Sequence, residues 1–334
     1  MKIDIFNHIL PERFFAEFLR VAPGMKDMGK RSRDIPIMCD LDARFRTMDE
    51  FGEYCQVISL ASPPIEAFAE PGVSPVLARM ANDGMAELVA KHPGRFPAFV
   101  AALPMNNPSE SEKELDRALG QLGAVGVQMY SNVAGKALDA PEFLPLFDEL
   151  AKRDRPIWLH PARGGNFPDY LTEERSKYEI WWTFGWPYET SVAMARLVFS
   201  GMLDRHPELK IITHHMGAMI PYFEGRVGYG WDQMGRRTSD EDYVALLKSM
   251  KKRPFDYFKM FYADTALFGA DAATECGLKF FGVDRVLFAS DTPFEPTPGL
   301  YIRETIRVIE NLGLKPEDKD RIYRKNAVQL LKLT

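Results

Sequence analysis

Eight short runs of β-forming residues recur along this chain, and segments with apolar residues three and four apart lie between them. The strand candidates are Lys2–Phe6, Tyr54–Leu60, Phe96–Leu103, Gly126–Tyr130, Pro156–Leu159, Lys210–Thr213, Phe258–Tyr262 and Val286–Ala289. The helix candidates are Ala43–Phe51, Val76–Lys91, Ser109–Leu119, Phe143–Lys152, Thr190–Asp204, Asp240–Lys251 and a shorter Ala270–Cys276. Ser109 and Glu112 have the spacing of a capping box, with Pro108 as the boundary before it. Eight strand–helix units in 334 residues favour an α/β fold, a closed (β/α)8 TIM barrel, over an open doubly wound sheet, because closure leaves no edge strand unprotected. A single barrel domain over residues 1–334 is expected.

Two connections are too long to be simple links. Pro11–Leu41 follows the first strand and carries Arg31 and Arg33, and Pro161–Glu189 follows the fifth and carries Trp181, Trp182 and Trp186. Insertions after strands sit on the catalytic face of a barrel, so these aromatics, Trp186 among them, offer a stacking wall or a dry lid for a substrate ring.

Composition narrows the partners. A net charge of −5, with only short basic runs such as Lys251–Arg253, argues against nucleic acid, which needs a basic stripe. Neither G-x-G-x-x-G after the first strand nor G-x-x-x-x-G-K-[ST] occurs, so no organic nucleotide cofactor is expected. Cys39, Cys55 and Cys276 are widely spaced with no C-x-x-C pair, which suggests a reducing compartment. No uncharged apolar run reaches about 18 residues and no apolar h-region follows Lys2, so no membrane partner and a cytoplasmic location are expected.

The chemistry-bearing residues share one position in the pattern. His8 follows the first strand, His160 ends the fifth, His214 and His215 end the sixth, and Asp291 ends the eighth. A barrel gathers such ends at one pocket, where imidazoles and a carboxylate would suit Zn²⁺ and could activate water or relay a proton. His92 and His206 each precede proline in a loop after a helix, where a structural role is expected. Neighbouring strand residues face opposite sides, so only one of His214 and His215 looks into the barrel; alternation alone does not say which. Arg44, Arg46, Asn7, Arg163, Glu189 and Asp264 are further polar candidates, and an arginine at the mouth could clamp a substrate carboxylate.

Taken in order, these segments resemble the amidohydrolase superfamily, in the branch of aminocarboxymuconate-semialdehyde decarboxylase and γ-resorcylate decarboxylase. They are the opening Met-Lys-Ile-Asp-Ile-x-x-His-Ile-Leu-Pro, Trp158-Leu159-His160-Pro161, His215-Met216-Gly217 before Pro221-Tyr222, and Ser290-Asp291-Thr292-Pro293-Phe294. The resemblance implies a zinc- or manganese-dependent barrel, commonly a dimer or larger, that removes a carboxylate from an aromatic or dienoic acid without an organic cofactor. It implies His8, His160 and Asp291 as metal ligands, His215 as the residue handling a proton, and the Arg44-x-Arg46-x-Met48-Asp49 stretch as the source of a substrate-binding arginine. One departure stands out: the usual first-strand signature is His-x-His or Glu-x-His, and here Phe6 occupies the first place. That leaves a three-ligand site with more water, recruitment of His215, or no metal; Asn7, one place along, tends to face the other way.

The leading expectation is therefore a nonoxidative decarboxylase. A metal would grip the carboxylate and a neighbouring oxygen, His215 or Asp291 would protonate carbon, and Leu159 and the tryptophan insertion would exclude water. The rival is hydrolysis of an amide, lactone or vinylogous C–C bond by metal-activated water, with Asp291 as base. A non-catalytic binding barrel is the third reading.

Overall fold

The computed structural model describes residues 1–237 and 241–333. Its centre is a ring of parallel strands: Lys2–Ile9, Tyr54–Leu60, Ala98–Phe99 continued by Ala101–Ala102, Val127–Tyr130, Ile157–His160, Ile211–Thr213, Tyr262–Asp264 and Val286–Leu287. The third strand joins the two halves of the ring: Ala98–Phe99 pairs with the second strand and Ala101–Ala102 with the fourth. Between them the Val100 amide donates to the Ile58 carbonyl at 2.9 Å. First and last strands close the barrel through Ile5 N–H to Phe288 O (3.0 Å), Asp291 N–H to Phe6 O (3.0 Å) and His8 N–H to Thr292 O (2.9 Å).

Strands enclosed on both faces read as continuous apolar runs, and all seven residues of Tyr54–Leu60 are buried. Side chains nevertheless alternate along most of the strands. Val57, Ala98, Val100, Trp158, Ile212, Leu287 and Ala289 pack together inside the ring, while Ile58, Phe99, Leu159, Ile211, Val286 and Phe288 join the cluster beneath the helices. The first strand breaks step once. Asp4 pairs with Gln56 and Asn7 with Ile58, so one extra residue sits in that strand as a bulge. Ile3 and Ile5 point inward before the bulge, and Phe6 also lies in the inner cluster; His8 then faces inward in place of Asn7. The helix Asn326–Leu331 seals the opposite end with Ala327, Leu330 and Leu331.

The layer of helices includes Leu41–Asp49, Ser74–Lys91, Pro108–Gly120, Leu144–Lys152, Gly185–Phe199, Asp271–Phe281 and Leu300–Asn311. Several local expectations shift. Phe96–Leu103 is shorter and interrupted at Val100. Phe258 ends the helix Pro254–Phe258, so the seventh strand is Tyr262–Asp264 rather than Phe258–Tyr262; an aromatic-rich run reads as either period. The capping box at Ser109 is replaced by Asn107, whose side chain accepts from the Glu110 amide, with Pro108 as first helical residue. Thr190–Asp204 begins earlier, at Gly185, and breaks before Met202–Arg205. Of Asp240–Lys251, the structure has Tyr243–Ser249 helical, and Asp240 lies outside the described residues. The first long insertion carries helices Glu12–Val21 and Met28–Arg33, and the second the short helix Ile180–Thr183.

Candidate active site

Four side chains meet at the mouth of the barrel. His8, His160, His214 and Asp291 are buried, and one ligand atom from each lies within 4.8 Å of the others. Each continues the inward phase of its strand end: Phe6 and His8, Trp158 and His160, Ile212 and His214, Ala289 and Asp291. His8 Nε2 is 3.0 Å and His214 Nε2 3.2 Å from Asp291 Oδ1. The outer ring nitrogens are engaged elsewhere: His160 Nδ1 lies 2.7 Å from the Pro161 carbonyl, His214 Nδ1 2.5 Å from Asp264 Oδ2, and His8 Nδ1 3.4 Å from Ser59 Oγ. Acceptors behind Nδ1 hold the proton there and leave the Nε2 lone pairs turned toward a common centre, the arrangement of a metal-binding imidazole.

The electrostatics point the same way. Burial opposes a charged His214, but the Asp264 and Asp291 carboxylates outweigh it and push its pKa up to about 9. Burial by itself would raise the Asp291 carboxyl; the His214 charge and hydrogen bonds from His214, His215 and His8 instead hold it well below the usual range. Burial lowers His8, with Asp291 offsetting part of the effect. Burial, then the charges of His214 and His8, takes His160 well below the usual imidazole value. Two dry carboxylates beside three imidazoles thus call for positive charge, which His214 supplies by protonation and a divalent cation can supply instead. The residues fit such an ion: a His/His/His/Asp site for a divalent metal is evident.

The three expected ligands His8, His160 and Asp291 are brought together, and His214 joins them. Phe6 supplies no donor. Its ring stacks on His214 at 3.8 Å and 12°, so it forms a floor to the cluster, and the fourth protein group comes from the sixth strand rather than the first. His215 stands outside the cluster with Nε2 3.6 Å from Asp291 Oδ2 and a buried Nδ1 that has no partner among the described residues. His215 and Asp291 have φ of 54° and 65°, in a region that side-chain-bearing residues rarely adopt.

Arg44 corrects an expectation. It is only 2% exposed, and its guanidinium donates to Gln56 Oε1 (2.7 Å), the His8 carbonyl (2.7 Å) and Asn7 Oδ1 (2.8 Å). It braces the first strand from outside the barrel and does not line the cavity. Arg46, on the same helix, does line it. Asn7 faces away from the cluster, as strand alternation requires, and its amide donates to Asp4 and Val57 carbonyls. Arg163 and Glu189 pair with each other at 2.9 Å. His206 binds Asp148 and His92 packs on Phe45, both structural.

The cavity above Asp291 has a volume of about 1080 Å³. Both long insertions wall it, with Trp181, Trp182 and Trp186 on one side, Lys30 and Arg31 on another, and Phe268, Phe294 and Tyr301 near the floor. Trp186 and His160 meet in a T-shaped arrangement with ring centroids 5.7 Å apart, and Trp186 donates its indole N–H to the Arg163 carbonyl. His214 and its support Asp264 are the site residues that sequence reasoning left without a role; His214 shares the inward phase of Ile212, which the structure alone reveals.

The fold and site define an enzyme of the metal-dependent barrel class. The amidohydrolase family model matches residues 3–333, and the chain belongs to that family. It is 33% identical to γ-resorcylate decarboxylase of Polaromonas sp. strain JS666, over 99% of this chain and 98% of that one. It is 28% identical to 2-amino-3-carboxymuconate-6-semialdehyde decarboxylase of Dictyostelium discoideum, over 100% and 92%. Among solved structures, a dihydroxybenzoic acid decarboxylase from Polaromonas sp. JS666, with bound manganese and the inhibitor 2-nitroresorcinol, superposes with a TM-score of 0.78 at 29% identity, over 99% of this chain and 97% of that one.

Proposed function

We propose that this chain is a metal-dependent, nonoxidative decarboxylase of an aromatic or dienoic carboxylic acid. The observation that carries the reading is the His/His/His/Asp cluster at the floor of an aromatic-walled cavity, in a chain related end to end to decarboxylases. His8, His160, His214 and Asp291 would hold a divalent ion. Three imidazoles suit zinc, and the manganese in the Polaromonas structure supports manganese as the other candidate. Such an ion would draw negative charge from the substrate carboxylate and its neighbouring oxygen.

The remaining work falls to this chain's own side chains. The tryptophans orient the ring and keep water out, which strengthens every charge interaction within. His215, beside Asp291 Oδ2, delivers a proton to the carbon bearing the carboxylate. A C–H bond forms, the C–C bond breaks, its electron pair returns to the ring, and carbon dioxide leaves; no oxidant is consumed. Arg46 and Trp186 contact the bound acid. The whole chain acts as one barrel unit, supported by the match over residues 3–333. A cytoplasmic location accompanies this reading, supported by the three unpaired cysteines.

The test is product analysis with enzyme loaded with zinc or manganese on a panel of ortho-hydroxy aromatic acids. Carbon dioxide with the ring otherwise intact supports decarboxylation. Incorporation of solvent oxygen with no carbon dioxide would establish hydrolysis instead.

A further inference from the structure

The cavity is much larger than a single hydroxybenzoate ring fills, and its charges are unevenly committed. Asp27 pairs with Arg175, Glu50 with Arg303, Glu179 accepts from the Trp182 indole, and Glu295 accepts from Thr292 and the Gly299 amide. Of the acidic groups on the wall, Asp34 alone lacks a side-chain or amide partner among the described residues. The cations are the reverse: Lys30, Arg31 and Arg46 line the cavity, and none has an acidic partner among the described residues.

Arg31 is the one whose position is set. Its guanidinium donates to the Phe294 carbonyl and lies over the Phe294 ring, 6.0 Å from the centroid. The same ring packs against His8, with centroids 5.3 Å apart. Arg31 therefore stands one aromatic ring away from the metal cluster, on the outward side. Asp291 of the cluster and Arg31 line the same cavity, so one ligand can face the cluster at one edge and this cation at another.

We propose, resting on the decarboxylase reading, that the substrate is an aromatic diacid, and that Arg31 holds a second carboxylate across the ring from the one removed. A guanidinium with free N–H donors binds a carboxylate with both charge and direction. Two comparisons test it. The first is kcat/KM for carbon dioxide release from 2-hydroxybenzene-1,4-dicarboxylate against 2-hydroxybenzoate. The second is tryptophan-fluorescence titration of the metal-loaded enzyme with 3-hydroxy-4-nitrobenzoate against 2-nitrophenol, in which a nitro group stands in for the departing carboxylate. Wild type favours the diacid and the carboxylated nitrophenol by about tenfold to a hundredfold, the range for one hydrogen bond to a charged group. Arg31→Met erases both preferences, and Arg31→Lys, which keeps the charge, restores most of each. Equal handling of mono- and diacids by wild type, or an Arg31→Met loss shared equally by both, overturns the diacid assignment and leaves decarboxylation standing. Failure of every acid to release carbon dioxide overturns the decarboxylase reading, and the titration then still decides whether Arg31 forms a carboxylate subsite.

Discussion

Replacing Asp264 with asparagine changes one atom and tests how the cluster is held. Asp264 Oδ2 lies 2.5 Å from His214 Nδ1, while Oδ1 accepts from the amides of His215 (3.0 Å) and Ala266 (2.9 Å); Asp264 and His214 are fully buried. An aspartate satisfies all three donors. An asparagine has one acceptor and one donor end, so either arrangement fails. With its oxygen on the two amides, its NH₂ meets the His214 Nδ1–H and drives the ring to the other tautomer, whose Nε2 carries a proton and cannot bind a metal. With its oxygen on His214, two buried amides lose their acceptor at about 1–3 kcal/mol each. The lost charge-assisted bond is worth about 1.5–3 kcal/mol, and supports of this kind change metal affinity by about 10–100-fold. Asp264→Asn should therefore remain folded by circular dichroism yet bind zinc or manganese 10–100-fold more weakly in competition with a chromogenic chelator, with activity recovered by excess metal. Wild-type affinity in a folded Asp264→Asn protein would refute the role assigned to His214 and its carboxylate.

Dialysis against a chelator should abolish carbon dioxide release and lower Tm, and a divalent ion at about 100 times its Kd should return about 2.7 kcal/mol of stability; calorimetry with and without metal checks both. His215→Asn should lower kcat by about 10²–10⁴-fold with metal content unchanged by elemental analysis. Arg44→Met should cost roughly 3–5 kcal/mol in urea unfolding, since three buried acceptors lose their donor; unchanged stability with a raised KM would return Arg44 to the substrate site. Burial raises Glu66 from 4.5 to about 7, so the ionised form is disfavoured in the folded protein. Its effect on stability is absent below pH 4.5, grows as pH rises through 7, and reaches about 3 kcal/mol of destabilisation above that. Glu66→Gln should accordingly flatten the fall in stability between pH 5 and 8, measured by denaturant melts at each pH.

Much of the fold was legible in the sequence because barrel strands are buried on both faces and announce themselves as apolar runs. The places where reading failed are those where such runs carry no phase. Ile211 and Ile212 are equally apolar, so nothing local says that Ile212 faces inward and carries His214 with it. Phe258–Tyr262 fits a helix end as well as a strand, and the structure divides it: Phe258 ends one helix and Tyr262 begins the seventh strand.

The sequence by itself determined which residue types could do the chemistry and that strand ends would gather them: His8, His160 and Asp291 were identifiable from position alone. Tertiary structure decided which faces they present. The bulge between Asp4 and Asn7 turns Phe6 and His8 inward together and sends Asn7 out to Arg44. The hydrogen bond from the Asp291 amide to Phe6 closes the ring and brings residues nearly three hundred positions apart into contact. Pairing register and closure are properties of the whole sheet, because each strand's phase is set by its neighbours' hydrogen bonds. The identity of the fourth ligand, the inward imidazole of His214, therefore exists only once the barrel has formed.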